Sequence, residues 1–429
     1  MNKTFGNIFK GDKVIWMVFF FLCIISVVEV YSASSQLTYK GGNYIAPVLK
    51  HISILLMGIF FMVVTLNIKC KYFRIALPLM LGVSFVALIS VYIVGQMTNG
   101  AHRWVTVMGI QFQPSEIAKM AVIIVTAFIL SKGQDEDGAN PKAFKRIMII
   151  TGVICLLIAP ENLSTAALLF GVVFLMMFIG RVSAKRLLML TGSLASVGIV
   201  AVTFLLMTKN SDIPFLHRFD TWRARIEKFT SDEVVPAAKF DIDKDAQIAH
   251  ARIAVATSNV IGKGPGNSVQ RDFLSQAFSD FIFAIIIEEL GLVGGVIVVF
   301  LYICLLIRVG RIAKKCDRTF PAFLIIGIAL LLVSQAIFNM MVAVGLAPVT
   351  GQPLPLISKG GTSTLINCAY IGMILSVSRY TAKLEEQRAH DAQITMQVET
   401  GNGNESTYSE AQSAAEPTAK MLNSDAEFE

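Results

Sequence analysis

Asp280, an acidic residue at the start of a long apolar segment, is the first position in this sequence with a clear chemical use. A carboxylate there can accept a proton from a substrate hydroxyl. A carboxylate at the positive end of a helix can also serve only as a capping group. A second acid, Asp272, precedes it in the same connection. The spacing alone leaves both interpretations of Asp280 open.

Glu116 and Lys119 are ionisable residues within another apolar segment. Charged groups inside a membrane span are costly, and function is the default hypothesis for them. Because the two residues are three positions apart, they could also simply neutralise each other on one helical face. The adjacent Glu288 and Glu289 point about 100° apart on a helix. We therefore expect at least one of these two glutamates to be structural.

Cationic and glycine-rich positions complete the candidate set. Arg103 and Trp104 close a short predicted loop that begins at Asn99. Lys263 and Gly264 belong to the glycine-rich run 262–268. Backbone amides in such a run can cradle phosphate oxygens, but a flexible turn is the favoured interpretation of the glycines. The run lacks Walker spacing, which argues against nucleotide binding.

The elements that position these residues are apolar helices. Of 429 residues, 54% are hydrophobic and 16% are charged, which is unlike a soluble globular domain. A helix needs about 20 apolar residues to cross the membrane. Ten runs approach that length: 15–33, 48–66, 75–95, 115–131, 146–160, 163–180, 187–207, 281–307, 320–345 and 363–380. The sequence predicts an all-α polytopic integral membrane protein with about ten transmembrane helices.

Lys and Arg residues concentrate in alternate loops, so the positive-inside rule predicts a cytoplasmic N-terminus at 1–14 and both chain ends inside. The membrane domain is predicted at 15–380, with a large extracytoplasmic loop at 208–279 between the seventh and eighth spans. Residues 381–429 are polar and are predicted to be a disordered cytoplasmic tail. The net charge of +7 follows from the loop bias and indicates contact with anionic lipid, not nucleic acid.

Within the large loop, aromatic residues recur at helical spacing between Phe215 and Phe229, with cationic residues between them. This pattern predicts an amphipathic helix. It could lie flat on the membrane surface or pack on the bundle. Either pose leaves a cationic face for an anionic headgroup. The residues alone do not choose between an enzyme and a transporter.

Six ordered motifs in this sequence closely resemble the SEDS family (shape, elongation, division and sporulation). They are Asn99–Trp104, Gln111–Lys119, Gly262–Ser268, Ser279–Ala284, Glu288–Gly291 and Pro353–Gly361. The resemblance covers about 13–380 and is strongest to the division branch. It implies ten transmembrane helices and a peptidoglycan glycosyltransferase that polymerises lipid II. It also implies a class B penicillin-binding protein as the transpeptidase partner, other division proteins as contacts, and a location in the bacterial cytoplasmic membrane at the septum.

Carried over residue by residue, the resemblance places the family's essential carboxylate at Asp280 and a second outer-loop acid at Asp272. The family's Arg-Trp pair falls on Arg103 and Trp104, and its Glu and Lys fall on Glu116 and Lys119. Three departures stand out: the usual acid after the fifth span is Asn162, the usual glycine two residues later is Ser164, and the usual tyrosine before Gly-Gly is Lys359.

The implied chemistry assigns proton acceptance to Asp280 and stabilisation of the departing pyrophosphate to Arg103 and Lys119. A divalent cation, Mg²⁺ or Mn²⁺, would enter if Asp280 and Asp272 shared one. Two other functions compete with this one. A lipid II flippase would favour charged sites near the membrane midplane, and a non-catalytic division scaffold would explain the tail but not the loop motifs.

Overall fold

A computed structural model of the protein describes residues 10–33, 46–94, 96–98, 101–107, 110–135, 138–207, 245–274 and 277–400. The described helices are α1 Lys13–Ala33, α2 Ala46–Asn67, α3 Cys70–Ile75, α4 Leu77–Val94, α5 Pro114–Lys132, α6 Pro141–Ile158, α7 Leu163–Ile179, α8 Ala184–Met207, α9 Asp245–Ala256, α10 Ile282–Lys314, α11 Thr319–Ala343 and α12 Gly361–Thr400. The described strands are β1 Gln96–Thr98, β2 Ala101–Val107, β3 Ile110–Phe112, β4 Gln134–Asp135 and β5 Gly138–Ala139.

Every predicted span coincides with one of these helices, so the polytopic α-helical fold is confirmed. Within the described part of the chain, six helices are long and apolar enough to cross a membrane: α1, α2, α5, α10, α11 and α12. Two shorter apolar helices lie at Leu77–Ile93 and Leu163–Ile179. The number of crossings, ten, stays a prediction. The predicted amphipathic helix at 215–229 lies outside the described residues.

The helices pack around a continuous apolar core, and many large apolar side chains remain on the outside of the bundle, as expected where lipid replaces water. Among the described helices, α2 and α12 pack against each other closely. A Cβ placed on Gly372 would lie 2.5 Å from the Met62 carbonyl oxygen. Small residues of this kind let membrane helices approach closely.

At each end of the bundle, contacts join residues that alternating membrane crossings would place on the same side of the membrane. At one end, the Arg308 side chain, near the end of α10, bonds Asp12, just before α1, with an Nη2–Oδ2 distance of 2.6 Å. At the other end, the Gln113 amide before α5 donates to the Thr362 hydroxyl at the start of α12 at 3.4 Å. We call this second end, which also holds Asp280, the Asp280 end.

The connection before α5 differs from its prediction as a plain loop. Residues 101–107 form the central strand of a three-stranded antiparallel sheet in the order β1-β2-β3. Val105 pairs with Phe112 and Val107 with Ile110. Aromatic and β-branched side chains favour extended backbone, and this stretch is rich in them. The sheet therefore leads directly into α5.

The first part of the predicted disordered tail, 381–400, is helical instead, because α12 continues to Thr400, and 401–429 lie outside the described residues. Residues 382–396 contain no Gly or Pro and are rich in Ala, Glu, Gln, Lys and Arg, which are strong helix formers. Two exposed ion pairs tie this extension to the end of α10: Lys315–Glu385 at 2.9 Å and Arg388–Asp317 at 2.8 Å. The polar composition of residues 382–396 therefore did not by itself predict that they are helical.

Candidate active site

The segment 278–280 is held in place through all three of its backbone carbonyls. The first carbonyl accepts a hydrogen bond from the Lys359 amide at 2.9 Å. The second accepts from the Ser358 hydroxyl at 2.6 Å, and the third from Nδ2 of Asn339 at 2.9 Å. All three donors come from α11 or from the connection after it. The backbone that carries the Asp280 carboxylate is thus fixed from one side.

The Asp280 carboxylate is half-buried and does not occupy the N-cap position of α10. That position belongs to Phe281, whose side chain makes no cap hydrogen bond. Oδ1 of Asp280 accepts a hydrogen bond from the Ser279 hydroxyl at 3.1 Å. The N-capping interpretation therefore loses its geometric basis, whereas the proton-accepting interpretation stays a prediction.

Glu116 and Lys119 lie in the first turns of α5 and are almost completely buried. Nζ of Lys119 is 2.8 Å from Oε1 of Glu116 and 3.0 Å from Oε1 of Gln335 on α11. The predicted neutralisation across one helical face is present in the structure. Oε2 of Glu116 has no hydrogen-bond partner among the described residues. The pair is therefore a buried polar site with one spare acceptor.

One face of α11 connects this ion pair to Asp280. Gln335 and Asn339 are four residues apart on α11 and lie on the same face. Nε2 of Gln335 donates to the Pro353 carbonyl at 3.0 Å, and Nδ2 of Asn339 donates to the Gln352 carbonyl at 2.7 Å. The same two side chains hold Lys119 and the Asp280 carbonyl. We call Lys119, Gln335, Asn339, 352–353 and Asp280 the polar seam.

The departure at Asn162 is explained by helix capping. Asn162 is the N-cap of α7, and its Oδ1 accepts from the Thr165 amide at 3.1 Å. Asn and Asp cap helices about equally well, so the change of residue preserves the local structure. The Thr165 hydroxyl in turn accepts from Nε2 of Gln352. The start of α7 is therefore joined to the polar seam.

The glycine-rich run belongs to a loop, 262–271, that wraps around two buried glutamates of α10. We call it the acid-held loop. Glu288 accepts from Nζ of Lys263 at 2.5 Å, from the Val269 amide at 3.2 Å and from the Gln270 amide at 3.3 Å. It also accepts from the Ser268 hydroxyl at 2.5 Å. The Glu288 carboxylate thus binds the backbone amides that the phosphate-cradle interpretation assigned to a phosphate.

Glu289 binds the other side of the same loop. Its carboxylate accepts from the Gly266 amide at 2.9 Å and the Ser268 amide at 3.2 Å. Nη1 of Arg271 lies 3.8 Å from its Oε1. Both glutamates are fully buried and both are structural. The spacing of the two glutamates did not predict this arrangement, because it shows only that both cannot face one cavity. In the structure, the acid-held loop contacts both of them.

Two glycines make the contact between loop and helix possible. Gly291 interrupts α10 with φ 72° and ψ −173°, and Gly262 has φ 81°. A Cβ on Gly291 would lie 2.3 Å from the Val260 carbonyl oxygen, and one on Gly262 would lie 2.3 Å from the Glu289 carbonyl oxygen. The Gly264 amide donates to that same carbonyl at 2.8 Å. The glycines serve close backbone packing here.

Asp272 ends a short 3-10 turn, and its Oδ1 lies 3.8 Å from Nε of Arg271. In the described part of the chain, no three His, Cys, Asp or Glu side chains are grouped so that they could hold a metal ion. A divalent cation shared by Asp280 and Asp272 stays a prediction, and the mechanism below does not use one.

Arg103 and Trp104 lie on β2, where the backbone of Trp104 pairs with Gln96 of β1. Their side chains lie outside the described part of the structure. The sheet places this pair at the Asp280 end, because β3 runs directly into α5 through Gln113. The structure thus brings Arg103, Trp104, Glu116, Lys119 and Asp280 to one end of the bundle.

The chain is similar to known proteins over most of its length. Residues 12–383 match the model of the FtsW, RodA and SpoVE family, which is described as cell cycle protein. A probable peptidoglycan glycosyltransferase FtsW of Geobacter sp. (strain M18) is 32% identical over 374 residues, which cover 86% of this chain and 96% of the relative. The FtsW protein of Enterococcus hirae, with the same description, is 28% identical and covers 90% and 97%.

Two solved structures share the fold. A peptidoglycan synthase complex, reported for its coordination of polymerization and crosslinking, contains a chain that superposes with a TM-score of 0.67 at 23% identity, covering 86% of this chain and 98% of that one. The rod shape determining protein RodA of Thermus thermophilus superposes with a TM-score of 0.61 at 22% identity, covering 87% and 98%. This chain belongs to the FtsW, RodA and SpoVE family of cell cycle proteins, and it is a multi-pass membrane protein.

Proposed function

We propose that this chain is a peptidoglycan glycosyltransferase that polymerises lipid II on the outer face of the cytoplasmic membrane, for septal wall synthesis in cell division. Family membership and the FtsW relatives support the activity and the division role. The observation that carries the proposal is the half-buried Asp280 carboxylate, held on a backbone whose three carbonyls are all bonded. A general base needs that kind of fixed position.

In the proposed reaction, the sugar 4-hydroxyl of one lipid II attacks the anomeric carbon of another. The new glycosidic C–O bond forms as the bond from that carbon to the diphosphate breaks, and the diphosphate leaves with the bonding electrons. The Asp280 carboxylate takes the hydroxyl proton. Cationic groups at the Asp280 end stabilise the charge that develops on the leaving group.

Lys119 takes a different part in this proposal from the one its sequence position suggested. Its ammonium is fully buried and is shared between Glu116 and Gln335. In this conformation it positions α5 against α11, and through Gln335 and the polar seam it supports the Asp280 segment. Arg103 remains the candidate for direct contact with the substrate diphosphate, together with Trp104.

The proposed partner is a class B penicillin-binding protein, with other division proteins as further contacts. Similarity to a chain of a peptidoglycan synthase complex supports this assignment. Exposed apolar side chains on the bundle, such as Phe300 on α10 and Leu188 on α8, offer faces for a single-helix partner within the membrane. We further propose that both chain ends are cytoplasmic, in accordance with the positive-inside rule.

The test is polymerisation of purified lipid II by the purified protein, alone and with its penicillin-binding partner. Glycan chains that grow with time in either sample would support the proposal. A protein that moves lipid II across proteoliposome membranes but makes no glycan in either sample would be a transporter. A protein that does neither and still recruits division proteins would be a scaffold.

A further inference from the structure

Lys359 is a cation next to the Asp280 segment that the polar seam does not use. It stands where the family resemblance expects tyrosine. Its amide donates to the Phe278 carbonyl at 2.9 Å, and its Nζ lies over the Phe278 ring, 4.9 Å from the centroid. The backbone and the side chain of Lys359 therefore both contact the residue two positions before Asp280.

A second cation, Lys50, lies close to Lys359 in the fold, because the Ser26 hydroxyl bonds both Nε2 of the adjacent His51, at 2.8 Å, and the Ile357 carbonyl, at 2.7 Å. Burial, and then the charge of Lys50 at the start of α2, lower the pKa of Lys359. Among the described residues, no carboxylate forms an ion pair with Lys359 or Lys50. Placing two like charges together without an acid costs free energy unless an anion joins them. α12 also begins two residues after Lys359, so its amino end adds positive potential there.

We propose that Lys359, with Lys50, binds a diphosphate group beside Asp280. The inference rests on the proposed function, since that reaction releases a lipid diphosphate at this end of the bundle. A diphosphate carries enough negative charge to satisfy both ammonium groups, and the aromatic face of Phe278 keeps the Lys359 side chain in place. The site would hold the leaving group of the donor lipid.

The exposure of the two lysines fits a ligand site. Lys359 is half-buried in the 344–360 connection, whereas Lys50 is exposed at the start of α2. The connection itself is fixed, because the Ser358 hydroxyl accepts from the Leu354 amide at 2.7 Å and donates to the Ser279 carbonyl at 2.6 Å. A diphosphate would therefore meet one ammonium that lies over the Phe278 ring and one that is exposed to solvent.

The experiment measures binding without turnover. Purified protein in detergent is titrated with inorganic diphosphate and with farnesyl diphosphate, and affinity is read by calorimetry. We expect Lys359→Gln to weaken binding about tenfold to a hundredfold, as for loss of a charge-assisted contact. Lys359→Arg should retain most of the affinity. Lys132→Gln is the matched control, because Nζ of Lys132 also lies over a ring, Phe128, at 5.2 Å.

The outcomes separate the alternatives. Weaker binding of both probes by Lys359→Gln supports recognition of the diphosphate group itself, and an effect on farnesyl diphosphate alone supports a lipid-borne ligand. Equal affinities of Lys359→Gln and the unmodified protein, or no binding of either probe, would overturn the inference. Melting temperatures of all variants check that they are folded.

Polymerisation assays distinguish this inference from the proposed function. If the protein makes glycan while Lys359→Gln binds diphosphate normally and keeps its KM for lipid II, only the inference fails. If diphosphate binding depends on Lys359 but the unmodified protein makes no glycan with or without its partner, only the proposed function fails.

Discussion

Replacing Asp280 by Asn separates catalysis from structure, because it removes the basic oxygen and keeps the side-chain shape. The amide oxygen of Asn can still accept from the Ser279 hydroxyl, as Oδ1 of Asp280 does at 3.1 Å. The Asn339 contact is to the backbone carbonyl and is unaffected by the change. The variant should therefore fold, reach the membrane and bind its partner normally.

The expected magnitudes differ widely between the two roles. Loss of a general base lowers a rate by about 10²- to 10⁴-fold, or ~2.7–5.5 kcal/mol in the barrier. A surface-like substitution that keeps its hydrogen bonds changes stability by no more than about 0.5 kcal/mol. Asp280→Asn should therefore nearly abolish glycan synthesis and leave the melting temperature almost unchanged.

The assay is glycan formation from purified lipid II, measured beside a thermal melt of each variant. Asp272→Asn is the matched control: it removes a carboxylate from the same connection, at a side chain that is 47% exposed. Asn339→Leu is the structural contrast, because it deletes two hydrogen bonds at about 0.5–1.5 kcal/mol each. We expect it to lower stability measurably and polymerisation only partly.

Near-normal polymerisation by Asp280→Asn would refute the assignment of Asp280 as the base. A large fall in melting temperature for the same variant would show that the carboxylate has a structural role that the three carbonyl contacts do not explain. If Asp272→Asn lost as much activity as Asp280→Asn, the proton acceptor could not be assigned to Asp280 alone.

Three further predictions concern the packing around the site and the topology of the chain. Gly291→Ala should destabilise the protein, since the added Cβ would lie 2.3 Å from the Val260 carbonyl oxygen. A thermal melt checks this, with Gly152→Ala as the control, because a Cβ added there meets open space. Glu288→Gln should also lower the melting temperature, because it leaves the Lys263 ammonium without its partner at 2.5 Å; an unchanged melt would contradict the acid-held loop. In a cysteine-free background, a cysteine that replaces the exposed Val269 should react with an impermeant thiol reagent in intact cells. A cysteine that replaces Lys314 should not react. The reverse result would show that the topology is inverted.

The sequence predicted the helices well because a membrane span leaves a long apolar run that no other structure explains. It also predicted the pairing of Glu116 with Lys119, since that contact depends only on spacing along one helix. It did not predict the partners of the Asp280 segment. Asn339 and Ser358 are far from it in the chain, and local pattern carries no information about such contacts.

The same limit explains the glycine-rich run. Its composition is compatible with a phosphate cradle as well as with a turn, and the deciding groups, Glu288 and Glu289, are on another element. The three-stranded sheet at 96–112 was missed for a related reason. Short strands gain stability from pairing, which a linear pattern of this length does not reveal.

The acid-held loop and the polar seam anchor the two ends of the stretch of chain that leads to Asp280. The acid-held loop is fixed to α10 through Glu288 and Glu289, and the chain then runs through Asp272 to the segment 278–280, whose carbonyls are bonded by α11 and the connection after it. Both ends of this stretch are therefore anchored before α10 begins. A residue in an anchored segment loses little further conformational entropy when it takes up its working position. The Asp280 backbone is therefore fixed although Asp280 lies on an irregular connection and not on a helix or strand, where precise sites are more easily built.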